Sequence, residues 1–200
     1  MMSDNKCYII YGSPGSGKSV QAEILVKWLK EEKKEKATLF SMGHALREMA
    51  KEDEGTLFGR CLKEYLNKGY LVPKFLPTMI WGDFLRKNIG SEYDSFVFDG
   101  GARRIGESES LSEALKFLKM DPVVFLISVP NDVSRERLLK RGRHDDRDIE
   151  VIDKRIEMFN KETSAAIKEW VAMDEKIYTI DGTKTIGGVA EQVVDVLKSL

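Results

Sequence analysis

Eight residues near the amino terminus read Gly12-Ser13-Pro14-Gly15-Ser16-Gly17-Lys18-Ser19 and fit the phosphate-loop pattern G-x-x-x-x-G-K-[ST]. The apolar run Cys7 to Tyr11 precedes them and is typical of a short buried strand. The residues from Ser19 to Lys33 follow with apolar side chains at helical spacing. A glycine-rich turn could match the pattern by chance, but both flanks are those that a phosphate loop requires. The sequence therefore predicts a strand, a loop and a helix that bind a nucleotide.

The residue types of this loop suit the binding of phosphate. Glycines let the backbone wrap so that successive N–H groups face a phosphate, and the helix that follows adds partial positive charge. Lys18 supplies a full positive charge, and the hydroxyl of Ser19 can ligate magnesium.

The length and charge of the chain narrow the classes of function. Its 200 residues suit one globular domain, and a net charge of −1 excludes the broad basic field of nonspecific nucleic-acid binding. The longest apolar stretch, Val123 to Pro130, is too short to cross a bilayer, and Met1 to Lys6 are polar, without an apolar signal segment. We expect a cytoplasmic monomer that binds small-molecule nucleotides, with no nucleic acid and no membrane as partner.

Five short apolar runs recur along the chain, each followed by a segment of helical pattern: Lys6 to Tyr11, Ala37 to Ser41, Ser95 to Asp99, Pro122 to Val129 and Lys176 to Asp181. Runs such as Phe96 to Phe98 are apolar throughout rather than alternating, which is typical of strands buried on both faces. The sequence therefore predicts an α/β fold with a five-stranded parallel sheet and flanking helices. Ligands of such sheets bind beyond the carboxyl ends of the strands.

The long interval between the second and third runs indicates a helical insertion. Helices are predicted over residues 45–52, 56–67 and 78–88. The end of this insertion contains Gly69, Pro73 and Pro77. Either a hinge or a plain helix-terminating turn would explain these residues. The only cysteines, Cys7 and Cys61, lie far apart in the sequence, so we expect both to be inert packing residues.

Charged residues follow two of the predicted strands. Asp99 closes the third run, where a P-loop enzyme places a carboxylate for magnesium, although an ordinary turn residue before Gly100 and Gly101 fits the position too. Cationic clamps that close over phosphates would explain the arginines after the fourth run, but surface ion pairs explain their spacing about equally well. This set comprises Arg135, Arg137, Arg141, Arg143, Arg147 and Arg155.

From Gly12 onward the chain resembles the nucleoside monophosphate kinases, and the adenylate kinases most closely. The loop with Gln21-Ala22 resembles the family's G-x-P-G-x-G-K-G-T-Q-A. Further matches follow in chain order at similar spacing: SMGHALR at 41–47 resembles S-T-G-D-M-L-R, GYLVP at 69–73 resembles G-x-L-V-P, DGGAR at 99–103 stands where the family has D-G-F-P-R, KR at 154–155 resembles K-R, and DGTK at 181–184 resembles D-G-T-K. Such an ordered series is more specific than the loop alone.

The resemblance implies a role for each of these positions. It places in the ATP site the residues Gly12, Ser13, Pro14, Gly15, Ser16, Gly17, Lys18, Ser19, Arg137 and Lys184. It places in the acceptor site Ser41, Met42, Gly43, Arg47, Gly100, Arg103 and Glu107. The catalytic charges would be Lys18, Arg47, Arg103, Arg141 and Arg155, and magnesium would be held, partly through water, by Ser19 and Asp99.

Several positions depart from the family pattern. Gly101 and Ala102 replace Phe and Pro, and Met42 replaces the Thr of S-T-G. Glu107 falls where relatives carry the glutamine that reads the acceptor base. An ionised carboxylate can only accept hydrogen bonds, which suits guanine better than adenine. Glu107 could instead cap the helix that contains Leu111.

The lid implied by the resemblance is short, over residues 140–150. It carries no cysteine, so no zinc is expected. Either Arg143 or Arg147 could be its arginine. The acidic residue that follows this arginine could be Asp145, Asp146 or Asp148.

We therefore expect a single P-loop kinase domain over 1–200, with an acceptor-binding insertion at 41–72. It would transfer the γ-phosphoryl group of Mg-ATP reversibly to a nucleoside monophosphate, with AMP favoured. Kinases for GMP, for CMP or UMP, or for a deoxynucleotide remain alternatives, as does a nucleotide-dependent switch without enzyme activity.

Overall fold

The computed structural model describes residues 5–90, 92–142 and 148–200. Its sheet has five parallel strands, as the apolar runs predicted. The strands are β1 (Lys6–Gly12), β2 (Ala37–Ser41), β3 (Ser95–Asp99), β4 (Pro122–Ser128) and β5 (Ile177–Asp181). They lie in the order β2-β3-β1-β4-β5.

Helices follow every strand. They are α1 (Lys18–Glu31), α2 (Met42–Glu52), α3 (Leu57–Asn67), α4 (Phe75–Asn88), α5 (Ile105–Phe117), α6 (Asn131–Arg141), α7 (Ile149–Met158), α8 (Ser164–Ala172) and α9 (Ile186–Lys198). A π-helical turn, Phe159–Thr163, joins α7 to α8. Such turns are rare overall, but those that occur are often found at functional sites. This one lies beside the candidate site described below.

The central strand β1 is buried on both faces. Cys7, Ile9 and Tyr11 belong to one apolar cluster, whereas Tyr8 and Ile10 belong to a second cluster on the opposite face. Because successive side chains of a strand point to opposite faces, both faces of this sheet are packed under helices. This explains why the strands read as continuous apolar runs.

Strand β1 is also the switch point of the sheet. It pairs with β3 on one side and with β4 on the other, so the chain winds outward in two directions from it. A crevice opens at the carboxyl ends of the strands where the winding direction changes. The loop that begins at Gly12 leaves β1 at this crevice.

The predicted insertion contains α2 and α3. Helix α3 begins after Thr56, whose hydroxyl accepts a hydrogen bond from the Gly59 N–H, and Gly69 after its end has a φ of +71°. Helix α4 begins at Phe75, earlier than the predicted residue 78, because Pro77 sits in its first turn, where no intrahelical N–H is needed.

Two further expectations concern membrane-spanning helices and the lid. Among the described residues, no helix has the length and apolar character needed to span a membrane. The lid candidates Arg143, Asp145, Asp146 and Arg147 lie outside the described residues, so their roles stay predictions.

Candidate active site

The phosphate loop connects β1 to α1 through glycines in the left-handed region. Gly15 has a φ of +82° and Gly17 a φ of +91°, which favour glycine because other side chains meet strain there. A Cβ atom at Gly15 would also lie 2.6 Å from the carbonyl oxygen of Ser134. Gly17 caps the amino terminus of α1, and Lys18 is its first residue. The loop thus ends at a helix N-terminus, which favours an anion.

A cavity of about 370 Å³ extends from this loop to the insertion. It joins three segments that the sequence analysis assigned separately: the loop after β1, helix α2 and the segment after β3. The predicted site residues in its lining are Gly12, Pro14, Lys18, Gly43, Arg47, Gly100, Arg103 and Arg155. A cavity of this size can hold a small organic ligand.

The apolar part of this lining contains no residue that was predicted for the site. Leu66 and Phe159 carry no motif, Leu46 was given no role within the motif at 41–47, and periodicity alone predicts all three as core residues. Tyr11 also lines the cavity, and its hydroxyl accepts a 2.8 Å hydrogen bond from Trp170 Nε1. A tyrosine at the end of a buried strand, directly before the loop, was the one signal that could have identified it.

Positive charge is concentrated around Lys18. Burial lowers the pKa of the Lys18 ammonium to about 8; the Asp99 carboxylate opposes this shift, and the charges of Arg103, Arg155 and Arg141 add to it. Burial also lowers the pKa of the Arg103 guanidinium. The Asp99 carboxylate opposes this shift, and the charge of Arg155 adds to it. Groups that repel one another in the free protein are poised to bind a polyanion, because its charge would offset their repulsion.

The lowered pKa of Lys18 predicts that nucleotide binding is coupled to proton uptake. In the free protein Lys18 loses its proton as the pH rises through about 8. Phosphates bound beside it favour the charged form and raise its pKa, so ATP should bind with uptake of up to one proton per site near pH 9. Calorimetric titrations in buffers of different ionisation enthalpy measure this number.

Near pH 6.5 Lys18 is already charged, so the same titrations should show little uptake there. Binding enthalpies that do not depend on the buffer near pH 9 would contradict the assignment of Lys18 to the phosphate site.

Asp99 lies where β2 and β3 end together. The parallel register sets Ser41 beside Asp99, and Asp99 Oδ2 accepts hydrogen bonds from the hydroxyls of Ser19, at 2.7 Å, and Ser41, at 2.9 Å. Asp99 Oδ1 is buried without a hydrogen-bond partner in the described part of the chain. A carboxylate oxygen and hydroxyls are hard ligands of the kind that magnesium prefers, so these residues fit the ion.

The phosphate loop also contacts α6. The Ser13 and Ser134 hydroxyls share a buried hydrogen bond of 2.6 Å, a pair that no sequence motif indicated. Arg137 lies one turn further along α6 and donates to the Gly182 carbonyl oxygen at 2.9 Å. The structure therefore places Arg137 beside the turn at 182–184, which contains Lys184.

Glu107 and Met42, two residues predicted for the acceptor site, are absent from the described lining of the cavity. Glu107 is 1% exposed, and its Oε2 accepts a 2.7 Å hydrogen bond from the Arg103 N–H near the start of α5. Its Oε1 lies 3.3 Å from Arg104 Nη1. These contacts favour the interpretation of Glu107 as a capping residue over that of a base reader. Met42 is 1% exposed and packs in the apolar core instead of facing the cavity.

The two cysteines differ in environment. Cys7 is buried in β1, as expected, but Cys61 is exposed on α3, so it is no packing residue. Within the described ranges, no group of three or more histidine, cysteine or acidic side chains is arranged to hold a metal ion.

A phosphate loop at the switch point of a five-stranded parallel sheet, with arginines around one cavity, defines a P-loop phosphotransferase of the nucleoside monophosphate kinase class. The family model for adenylate kinase matches residues 10–174. The chain is 34% identical to an adenylate kinase of Bacteroides fragilis and 32% identical to one of Bacteroides thetaiotaomicron, covering 96% of this chain and 98% of each relative. An adenylate kinase of Nautilia profundicola is 30% identical, with 96% of each chain covered. The chain belongs to the adenylate kinase family.

Proposed function

We propose that this chain transfers the γ-phosphoryl group of ATP reversibly to AMP, giving two molecules of ADP. One observation carries the proposal beyond family membership: a single cavity contains both the loop lysine, Lys18, and arginines from three other segments, Arg47, Arg103 and Arg155. A protein that binds one nucleotide needs one cationic site, whereas a transfer between two nucleotides needs cations along the whole path. The cavity meets the second requirement.

The donor phosphates would lie in the loop at 12–19. Its backbone N–H groups, including those at the amino terminus of α1, would donate hydrogen bonds to the β- and γ-phosphates, with Lys18 beside them. Arg137 and Lys184 would flank the ATP base, as the hydrogen bond from Arg137 to Gly182 supports. Arg141 adds charge near Lys18.

The acceptor would lie in the part of the cavity bounded by the insertion. Arg47 on α2 and Arg103 after β3 would bind its phosphate, and Arg155 would neutralise charge between the two nucleotides. The apolar side chains of Leu46 and Leu66 would contact the base. The acceptor phosphate is itself a nucleophile, so the reaction needs no general base, and positioning with electrostatic stabilisation accounts for the catalysis.

Ser19 and Asp99 would hold magnesium, partly through water. The buried Asp99 Oδ1, which has no hydrogen-bond partner among the described residues, supports this assignment. When bound, the ion would offset the charge of the donor phosphates and orient them. The hydroxyl of Ser41 keeps Oδ2 in place at 2.9 Å.

A coupled assay of ADP formation against a panel of monophosphates tests the proposal. AMP should accelerate ADP formation more than GMP, CMP, UMP and the deoxynucleotides do. A different preferred acceptor would correct the substrate, and ATP binding without phosphorylation of any acceptor would instead support a nucleotide-dependent switch.

We further propose that activity requires magnesium and no zinc. The purified protein should lose activity in excess EDTA and regain it when Mg²⁺ is restored. A zinc-selective chelator in excess Mg²⁺ should leave activity unchanged, since Cys7 and Cys61 lie on different elements, one buried and one exposed. Stoichiometric zinc in the active protein, measured by elemental analysis, would contradict this prediction.

A cytoplasmic, monomeric protein with a role in nucleotide metabolism is part of the same proposal. The division into an insertion at 41–72 and a lid at 140–150 also remains a prediction. Size-exclusion chromatography with light scattering would test the monomer.

A further inference from the structure

The backbone at the exit of the insertion accepts hydrogen bonds from a side chain of the core, Arg104. Arg104, directly before α5, donates from Nη1 to the Val72 carbonyl oxygen at 2.5 Å and from Nη2 to the Leu71 carbonyl oxygen at 2.9 Å. Leu71 lines the cavity, as do its neighbours Gly69 and Tyr70. The guanidinium therefore holds the backbone of one cavity wall.

Glu107 holds the opposite end of this connection. Its Oε1 lies 3.3 Å from Arg104 Nη1, while its Oε2 accepts the 2.7 Å hydrogen bond from the Arg103 N–H. One carboxylate thus orients both the side chain of Arg104 and the backbone of Arg103. Arg103 lines the cavity from the core side, facing the insertion wall.

Neither Arg104 nor Glu107 contributes to the described lining of the cavity. Arg104 lies behind the wall, in a neighbouring surface cleft with Tyr70 and Leu71. Its Nε is 3.9 Å from a carboxylate oxygen of Glu162 in the π-helical turn. The pair therefore acts on the cavity through backbone that it holds and not by touching a ligand there.

We propose that Arg104 and Glu107 form a strap that positions the acceptor half of the cavity. The strap fixes the backbone of the cavity wall at 69–72 in position relative to Arg103. This inference rests on the proposed function, since it assigns that wall to the acceptor nucleotide. A planar guanidinium can bond two carbonyl oxygens and a carboxylate at once, whereas a lysine ammonium cannot reproduce this fork geometry. Loss of the strap should let the wall move and weaken acceptor binding, while the ATP site at 12–19 is unaffected.

Replacement of Arg104 by lysine tests the strap while keeping the charge. We expect KM for AMP to rise about tenfold, equal to the loss of one or two hydrogen bonds, with KM for ATP and kcat changed less than about threefold. Arg86→Lys is the matched control, because Arg86 is exposed on α4 and pairs only with Asp83 among the contacts described for it. A rise shared equally by both substrates, or no rise, would overturn the proposal.

Glu107→Gln tests the other end of the strap. The amide oxygen can still accept from the Arg103 N–H, but the ion pair with Arg104 is lost, so KM for AMP should rise about threefold. KM for GMP, where measurable, should rise by the same factor, because Glu107 does not face the base. In the double variant with Arg104→Lys, the two effects should be less than additive. A changed ratio of AMP to GMP efficiency would make Glu107 a base reader and overturn the strap.

Hydrogen exchange separates failure of the strap from failure of the proposed function. Amides in peptides covering residues 66–76 should exchange faster in Arg104→Lys than in the wild type. In Arg86→Lys their exchange rates should equal those of the wild type. This measurement needs no substrate, so it decides the strap even if AMP proves not to be the acceptor. Unchanged exchange at 66–76 would overturn the strap whatever the kinetics show. If Arg104→Lys fails to fold, the same measurement on Glu107→Gln decides.

Discussion

Replacement of Lys18 by alanine is expected to lower kcat about 1,000-fold or more while the protein stays folded. Lys18 is the first residue of α1, directly after the loop, and its charge can follow the negative charge that moves between phosphates during transfer. Among the described residues its ammonium donates one long hydrogen bond, 3.4 Å to the Ser13 carbonyl oxygen. Burial lowers the pKa of this ammonium to about 8, so its charged form is less favoured in the free protein than in water. Turnover with saturating ATP and AMP measures the loss.

Lys27→Ala is the matched control for this substitution. Lys27 lies on the same helix, is 70% exposed and pairs with Glu31 at 3.9 Å. Its loss should leave kcat within about twofold of the wild type. Circular dichroism and thermal melting should show both variants folded. A Lys18→Ala protein that is folded and retains near-normal kcat would refute the placement of the active site at this loop.

Replacement of Arg103 by alanine is expected to lower kcat/KM for AMP about 100- to 1,000-fold without lowering the melting temperature by more than about 3 °C. Arg103 lines the cavity between Gly100 and the insertion wall. Burial lowers the pKa of its guanidinium, although the Asp99 carboxylate opposes the shift. The charge is therefore held at some cost to the free protein. Such a cost at a functional site is the usual trade between stability and activity.

Arg86→Ala controls for the general loss of an arginine, because Arg86 is 71% exposed and bonds Asp83. Its kinetics should match the wild type. For Arg103→Ala, we expect kcat/KM for AMP to fall while the melting temperature stays near that of the wild type. If both fall together, Arg103 is a structural residue; if neither falls, the acceptor phosphate lies elsewhere.

The fold could be predicted well from the sequence because its signals are local. Each strand is a short run of apolar residues, and each appears in the structure within two residues of the predicted bounds. The start of α4 was less accurate, since Pro77 was interpreted as a break before the helix and is instead tolerated in its first turn.

The candidate site was predicted in part. Positions within a motif, such as Lys18, Arg47 and Arg103, lie on one cavity, because the carboxyl ends of parallel strands meet at one edge of the sheet. Positions that depart from the motifs were less predictable. Met42 replaces a family threonine and lies in the core, and Glu107 replaces a glutamine and bonds the backbone of Arg103. A substituted side chain takes the partners that its own chemistry allows, and those partners come from other segments.

Residue types and spacing along the chain were enough to predict a phosphate loop between a strand and a helix and a parallel sheet, because these depend on neighbours a few positions apart. Membership of a nucleotide kinase class was predicted from the resemblance of an ordered series of motifs to that family. Tertiary structure alone decided the contacts between distant segments: Trp170 with Tyr11, Ser134 with Ser13, and Arg104 with the carbonyls of Leu71 and Val72. Periodicity predicts which face of an element is buried, but not which residue will lie opposite it. A hydrogen bond depends on distances of a few tenths of an ångström, and only the packed chain determines those.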